Sequence, residues 1–212
     1  MKIDRAGYPF IAAALLPALA LAARGRTRWA AGFGALGAFL SYFFRDPERV
    51  VPSGVGLVVS PADGRVMGAG PADPRWSPPG DWVQVTIFLS PVDVHINRSP
   101  VDGRVTKIEY RPGRFLPAYQ ESANGNELNE IWVDHQGVPI VFRQVVGVLA
   151  RRIVCRVAIG DHLERGQRIG LMKFGSRMDV FLPTSAELAV HVGQHVVGGE
   201  TVLARLEVPG AR

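Results

Sequence analysis

The stretch EIWVDHQGVPIVFRQVV, residues 130–146, predicts a β-hairpin because two apolar runs meet at Gln136-Gly137, a pair suited to a tight turn. The alternating run WVQVTIFLS, residues 82–90, places its aliphatic side chains on one face and predicts another strand. Further strands are expected at 152–160 and, interrupted by glycines, at 186–208. Helical periodicity is weak after residue 50, so we expect this part of the chain to consist of strands and turns.

Two heptapeptides, SPADGRV at 60–66 and SPVDGRV at 99–105, differ at one position in seven. In each of them, Asp-Gly before Arg-Val predicts a turn that leads into a strand. Two copies indicate similar structural units, such as the related halves of a barrel. We therefore predict a mainly β (α+β) fold, with a compact barrel-like or sandwich β domain and an N-terminal apolar helical hairpin.

The helical hairpin is predicted from two charge-free segments of 16 residues, 8–23 and 29–44. The basic stretch RGRTR (24–28) separates them, and RDPER (45–49) follows the second. Each segment reaches about 24 Å as a helix, whereas a bilayer core is about 30 Å thick. The two helices could span a thinned bilayer, or they could enter one leaflet and return.

The two arrangements predict different locations for the rest of the chain. Spanning helices would place the basic tip in the cytoplasm and the rest outside. A hairpin that does not cross leaves the rest on the cytoplasmic face, and we favour this because the single cysteine, Cys155, excludes an internal disulfide. A signal peptide ending near Ala20-Leu21-Ala22 is the alternative, but the second apolar segment argues against its release.

We accordingly expect residues 1–50 to form a membrane-associating helical hairpin and residues 51–212 to form a catalytic β-rich domain. The protein is expected at the cell membrane, as a peripheral or monotopic protein on the cytoplasmic face. The net charge of +5 suggests an anionic partner. The few and scattered aromatic residues argue against nucleic acid. His191 and His195 lack a third ligand of suitable spacing, so no metal is expected.

The segment LMKFGSRMDVFLP, residues 171–183, holds the candidate reactive pair Gly175-Ser176 between two apolar runs. It does not match the G-x-S-x-G pattern of a hydrolase nucleophile. A serine hydroxyl can instead attack the carbonyl of the preceding residue, where glycine offers the least steric resistance. The resulting ester can break by β-elimination and leave a pyruvoyl group. Taken alone, however, Gly-Ser is also a common turn.

Two other polar residues are candidates for proton transfer. In LSPVDVHINRSP (89–100), an extended chain would project Asp93, His95 and Asn97 from one face, which could make His95 a general base. Asp63 in the first heptapeptide could orient such a histidine. A buried structural histidine and a turn aspartate are the alternative interpretations.

Together these features resemble phosphatidylserine decarboxylase, in its short bacterial and archaeal form. The resemblance covers nearly the whole chain and rests on five stretches: FFRDPER, SPADGRV, FLSPVDVHINRSPVDGRV, ANGNELNE and GQRIGLMKFGSRMDVFLP. It implies a proenzyme that cleaves itself between Gly175 and Ser176, giving a β chain (1–175) and an α chain (176–212). These chains would form a heterodimer, and further oligomerisation stays open.

The resemblance also implies the chemistry. Ser176 would become the pyruvoyl group, a covalent cofactor that replaces PLP and forms a Schiff base with phosphatidylserine. The products would be phosphatidylethanolamine and CO₂, and anionic membrane lipids would be partners. Asp63 matches the aspartate of the family's Asp-His-Ser processing set, and His95 matches a functional histidine.

The chain departs from the longer members at one position and leaves two other readings open. Longer members carry a second histidine where this chain has Arg98, and arginine is a poor base. Either His95 serves both roles, or the processing base comes from elsewhere. The alternatives to a decarboxylase are a lipoyl- or biotinyl-like carrier modified at Lys173, and a membrane-anchored protein without catalysis.

Overall fold

The computed structural model describes residues 2–148, 153–173 and 175–207. These fall into two compact units, Met1–Glu48 and Arg49–Arg212. The first unit is helical and the second is built from strands, so the predicted mainly β (α+β) fold is confirmed.

The first unit is a helical hairpin closed by a two-stranded ribbon. Its elements are β1 (Lys2–Ile3), a 3₁₀ turn (Arg5–Gly7), α1 (Tyr8–Ala23), α2 (Thr27–Phe43) and β2 (Arg45–Asp46). Alanine and leucine dominate α1 and favour the helix. The helices approach closely at Gly37, where an added Cβ would lie 2.4 Å from the Leu15 side chain. The predicted N-terminal apolar helical hairpin is therefore confirmed.

The hairpin leaves large apolar side chains exposed along both helices. They include Tyr8, Leu16, Leu19, Trp29, Leu36 and Tyr42. Within the described part of the chain, Arg5–Ala23 is the one helical stretch whose length and composition would allow it to cross a membrane. Grouped exposed apolar side chains of this kind occur at protein–protein and membrane contacts.

The second unit contains fourteen strands in the described residues. They are β3 (Leu57–Val59), β4 (Gly64–Pro71), β5 (Trp82–Leu89), β6 (Ile96–Arg98), β7 (Gly103–Arg111), β8 (Leu128–His135), β9 (Val138–Val146), β10 (Ile153–Cys155), β11 (His162–Leu163), β12 (Arg168–Met172), β13 (Ser176–Pro183), β14 (Glu187–Leu188), β15 (His195–Val196) and β16 (Val202–Arg205). A second 3₁₀ turn spans Glu121–Gly125. The main sheet has the order β11-β7-β8-β9-β13-β5-β4-β15, and two three-stranded sheets, β10-β12-β6 and β14-β16-β3, complete the unit.

The main sheet is built from two related halves that meet between β9 and β13. The two heptapeptides occupy equivalent places, since β4 pairs with β5 and β15 while β7 pairs with β8 and β11. The register is interrupted at matching positions, between Val66 and Gly68 in β4 and between Val105 and Lys107 in β7. The expectation of related halves is confirmed.

Each heptapeptide requires its glycine because a carbonyl oxygen of the neighbouring strand lies too close for a side chain. A Cβ on Gly64 would lie 2.2 Å from the Phe88 carbonyl oxygen, and one on Gly103 would lie 2.3 Å from that of Asp134. Each Asp-Gly therefore brings its strand directly against the neighbouring backbone, in β5 and in β8 respectively.

Most strand predictions hold, with shorter bounds. The hairpin at 130–146 is formed by β8 and β9, and both turn residues, Gln136 and Gly137, have positive φ. The strand predicted at 152–160 is confirmed only for Ile153–Cys155, because the chain turns at residues 159–160; Arg152 lies outside the described residues. The described part of the region 186–208 contains β14, β15 and β16, while Val208 lies outside the described residues. Inward-facing aliphatic side chains of these sheets form one apolar core.

Candidate active site

Ser176 is the first residue of β13, a central strand of the main sheet. It lies opposite Leu89 of β5 and Val146 of β9, so both flanks of its backbone face neighbouring strands. Its side chain is fully buried, and its Oγ has no hydrogen-bond partner within the described residues. A buried hydroxyl without a partner is unfavourable, and such groups are a reason to look for function.

Gly175 adopts a backbone conformation that favours glycine. Its φ is +68°, in the left-handed region, while an added Cβ would meet no atom within 4 Å. The requirement for glycine here is therefore conformational rather than a lack of space. The residue before it, Phe174, lies outside the described residues.

His95 lies beside the bond between Gly175 and Ser176. Its ring is buried, and Nε2 accepts a hydrogen bond of 3.3 Å from the Gly175 N–H. Nδ1 lies 3.0 Å from the Asp93 carbonyl oxygen. Because a carbonyl can only accept, the proton of a neutral imidazole belongs on Nδ1, which leaves the Nε2 lone pair directed at Gly175. The structure thus brings His95 and Gly175 together.

Asp93 holds the turn that presents His95. The extended conformation considered for 89–100 is wrong at this residue, because Asp93 lies in a turn between the end of β5 at Leu89 and β6 at Ile96–Arg98. Its Oδ2 accepts hydrogen bonds from the N–H and the hydroxyl of Ser90, which stabilises the turn over a strand. Its Oδ1 accepts a hydrogen bond of 3.2 Å from His195 Nε2. The sequence analysis considered His195 only for metal binding and missed this contact.

Asp63 lies in a separate set of contacts. Its carboxylate accepts hydrogen bonds from the Gly198 N–H at 2.8 Å and from Arg49 Nη2 at 2.7 Å. In the described part of the chain, its bonds go to these groups rather than to His95 or Ser176. Burial raises the pKa of Asp63 despite both bonds, and the nearby charge of Asp93 raises it further. Asp63 is therefore linked electrostatically to the turn that holds His95.

Arg98, which stands where longer members have a histidine, is buried at the end of β6. Its Nη1 donates a hydrogen bond of 2.8 Å to the Gly166 carbonyl oxygen. A guanidinium in this contact supports the loop before β12. It does not supply a base.

Gly147 is a site residue that the sequence analysis missed. An added Cβ on Gly147 would lie 2.2 Å from the Gly175 carbonyl oxygen and 3.2 Å from its carbonyl carbon. The carbonyl of the Gly175–Ser176 bond therefore rests directly against the backbone of Gly147. Nothing in the sequence marks this glycine, because its neighbour in space lies 28 positions further along the chain.

The polar loop that contains ANGNELNE is hydrogen-bonded to β9 and β13. Asn124 Oδ1 accepts a hydrogen bond of 2.6 Å from Arg177, the residue after Ser176. Asn126 Nδ2 donates to the Val146 carbonyl oxygen at 2.8 Å and to that of Leu116 at 2.7 Å. The two asparagines thus fix the loop against the ends of β9 and β13.

An apolar cavity of 240 Å³ opens beside Gly175. It is lined by Phe88, Pro91, Pro117, Ala118, Tyr119, Val148 and Gly175. The Phe88 and Tyr119 rings meet edge to face at 5.7 Å. The reactive pair therefore borders a cavity that suits an apolar part of a ligand.

Two other predictions concern Lys173 and metal binding. Lys173 is half-buried between β12 and β13, which belong to different sheets. It does not occupy the exposed tip of a hairpin that a carrier lysine needs. Among the described residues, no group of three or more His, Cys, Asp or Glu side chains is placed to hold a metal ion.

The comparisons with known proteins agree on one family. The family model for phosphatidylserine decarboxylase matches residues 36–204. Proteins named phosphatidylserine decarboxylase proenzyme are similar over almost the whole chain. The one from Symbiobacterium thermophilum is 48% identical, with 96% of this chain and 95% of the relative covered. That from Geotalea uraniireducens is 45% identical, with 94% of each covered, and that from Nitrosomonas europaea is 42% identical, with 95% and 94% covered. With this match, and with its glycine–serine pair beside a buried histidine, the chain belongs to the phosphatidylserine decarboxylase family of carboxy-lyases.

Proposed function

We propose that the chain is a proenzyme that cleaves itself between Gly175 and Ser176 and then decarboxylates phosphatidylserine. The observation that carries the proposal is the local geometry of this bond. Within the described residues, the buried Ser176 hydroxyl has no hydrogen-bond partner, and it follows a left-handed Gly175 whose N–H is held by His95 Nε2. A structural turn needs none of these three features.

The proposed cleavage uses only the chain's own groups and water. Ser176 Oγ attacks the Gly175 carbonyl carbon and the C–N bond breaks, which gives an ester and a free amine. Elimination then releases the Gly175 carboxylate and leaves a dehydroalanine residue. After tautomerisation to an imine, water replaces the nitrogen, ammonia leaves, and residue 176 becomes the pyruvoyl group.

We assign the proton transfer to His95. Its Nδ1 proton is held by the Asp93 carbonyl oxygen, so the lone pair belongs to Nε2, which accepts the Gly175 N–H. During cleavage, Nε2 would exchange this bond for the proton of the Ser176 hydroxyl. This assignment lets one histidine serve both roles in a chain that has Arg98 at the second position. Asp63 is then a positioning residue that acts through the charge of Asp93, since its own bonds go to Arg49 and Gly198.

The pyruvoyl group fits the residues that surround it. It would replace the Ser176 side chain, which makes no hydrogen bond in the part of the chain that the structure describes. Its neighbours would be His95 Nε2 and an apolar cavity. When present, it supplies a ketone for the substrate amine and an electron sink that lets the carboxylate leave as CO₂. His95 Nε2 would then deliver the proton that replaces the carboxylate. The cavity beside Gly175 would receive the glycerol or acyl portion of the lipid.

We further propose that the protein works at the cytoplasmic face of the cell membrane, in the synthesis of phosphatidylethanolamine. The exposed apolar hairpin, with arginines at its tip, suits insertion into an anionic lipid surface. Residues 1–175 and 176–212 would remain together as a heterodimer.

Intact mass spectrometry of the purified protein tests the proposal. We expect two chains, the smaller being residues 176–212 with a pyruvoyl N-terminus. Ser176→Ala should remain a single chain without decarboxylase activity, because it lacks the nucleophile. A wild-type protein that decarboxylates while uncleaved would contradict the mechanism. A mass addition on Lys173 without cleavage would instead indicate a carrier.

A further inference from the structure

Four exposed apolar side chains belong to the segments that line the cavity beside Gly175. They are Val92, Phe115, Tyr119 and Val148, with exposed fractions of 59%, 38%, 56% and 50%. Tyr119 and Val148 line the cavity, Val92 follows the lining residue Pro91, and Phe115 precedes Pro117 by two positions. We call these four residues the rim patch. Its four residues all belong to the second unit.

The loop that carries Phe115 is held firmly. Arg114 N–H donates to the Gly125 carbonyl oxygen, and Glu127 N–H donates to that of Arg114. The side chain of Asn126 bonds both the N–H and the carbonyl of Leu116. The exposure of Phe115 is therefore built into a pinned loop, and the patch is presented in a fixed form.

The charges near the patch favour an anionic partner. Arg114, the residue before Phe115, is exposed and forms no ion pair within the described residues, whereas Arg111 is paired with Glu109 and Glu130. The nearby Asp93 carboxylate is already bonded by Ser90 and His195. An apolar rim beside the exposed Arg114 cation suits the interface of an anionic bilayer.

We infer that the rim patch is a second membrane-docking surface, which seats the mouth of the cavity in an anionic phospholipid surface. This inference rests on the proposed function, because the cavity is there assigned to the lipid substrate. Docking at the rim lets a lipid pass from the bilayer into the cavity without exposing its acyl chains to water. The hairpin would hold the protein on the membrane, whereas the rim patch would align the cavity with it.

Depth labelling tests the inference without relying on activity. In a full-length Cys155→Ser protein, Phe115→Cys carries an environment-sensitive nitrobenzoxadiazole label, and Ile159→Cys carries the control label. Ile159 is an exposed apolar residue away from the cavity lining, with an exposed fraction of 63%. Vesicles containing equal amounts of phosphatidylcholine and phosphatidylglycerol should shift the Phe115 label to shorter wavelength, and lipid-borne quenchers should reach it. The Ile159 label should not respond.

A kinetic comparison separates docking from chemistry. The variant Val92→Ser/Phe115→Ser removes two rim side chains that do not line the cavity, and Val55→Ser/Ile159→Ser is its matched control. For phosphatidylserine in vesicles, we expect the rim variant to raise KM about tenfold and to leave turnover of a soluble short-chain phosphatidylserine unchanged. The control should affect neither substrate.

Three results would overturn the inference. Equal responses of the two labels would show that the patch does not enter the bilayer. A label shift that needs no vesicles and grows with protein concentration would indicate contact with a second copy of the chain. An unchanged KM for the rim variant on vesicles would remove its role in docking. A wild-type protein that does not decarboxylate would refute the proposed function, while the labelling result would still decide the docking surface.

Discussion

Replacing Gly147 with alanine should strongly slow the cleavage between Gly175 and Ser176. The new Cβ would lie 2.2 Å from the Gly175 carbonyl oxygen, whereas ordinary contacts begin at 3.4 Å. The obstructing atom belongs to the backbone, and the next residue is held between β5 and β9, so no flexible side chain can relieve the clash. The scissile carbonyl must therefore move by about 1 Å, and a displacement of that size costs roughly 10²-fold in rate.

The same substitution should leave the protein folded. Overpacking of this kind destabilises a protein by about 1–3 kcal/mol, which is less than the stability of a typical domain. Circular dichroism and thermal unfolding measure the fold, and intact mass after timed expression measures the cleaved fraction. Gly68→Ala is the matched control, because Gly68 also lies in a strand of the main sheet, while its nearest neighbour would be 3.8 Å from the new Cβ. It should be cleaved as fast as the wild type.

Hydroxylamine identifies the step that Gly147→Ala blocks. This nucleophile cuts the ester that forms when Ser176 attacks Gly175, so it accelerates scission wherever the ester accumulates. Because the displaced carbonyl should prevent ester formation, we expect hydroxylamine to leave Gly147→Ala uncut. A folded Gly147→Ala protein that is cleaved within about threefold of the wild-type rate would refute the reasoning from this contact.

Two further predictions concern the proton-transfer groups. His95→Gln should reduce the rate of cleavage by about 10²- to 10⁴-fold, because glutamine can accept the Gly175 N–H but cannot act as a base. His195→Gln is the control. Intact mass spectrometry that shows equal losses of cleavage for both variants would contradict the assignment of His95. Asp63→Asn should remove a pH dependence of stability, because burial raises the pKa of Asp63 above its ordinary value of 3.8 and so disfavours the ionised folded form. Relative to Asp63→Asn, the wild-type free energy of unfolding should fall as pH rises from 3.8 through the raised pKa of folded Asp63, and should then level off. Denaturant titrations at several pH values measure this. If the difference in unfolding free energy between the two proteins does not change with pH, the prediction is wrong.

The sequence predicts those parts of the fold that depend on local patterns. Gln136-Gly137 is recognisable as a tight turn, and both residues take the positive φ that such a turn needs. The two Asp-Gly heptapeptides predict related halves because the same steric demand acts on Gly64 and Gly103. Each of these features is specified by a few consecutive residues, which is why pattern reasoning finds it.

The parts of the site that escape prediction depend on contacts between distant residues. Gly147 is needed only because the Gly175 carbonyl lies against it, and this approach is created by the pairing of β9 with β13. Asp93 was expected on a strand face, but its carboxylate bonds Ser90 and holds a turn instead. The link from Asp93 to His195 spans 102 positions and has no local signature.

The position of the Gly175–Ser176 bond in the fold would make the proposed self-cleavage compatible with a stable structure. A local cost lies at this bond, because the buried Ser176 hydroxyl has no hydrogen-bond partner within the described residues. Such a cost persists only where the surrounding structure over-determines the backbone, and β13 is paired along its length with β5 and β9. Because Ser176 is the first residue of β13, a break before it cuts the connection to β12 and leaves the strand pairs of β13 intact. The pairs of β15 with β4 and of β16 with β3 also join the two sides of the break. The fragment 176–212 would therefore stay bound through strand pairing alone, and its new N-terminus would remain beside His95.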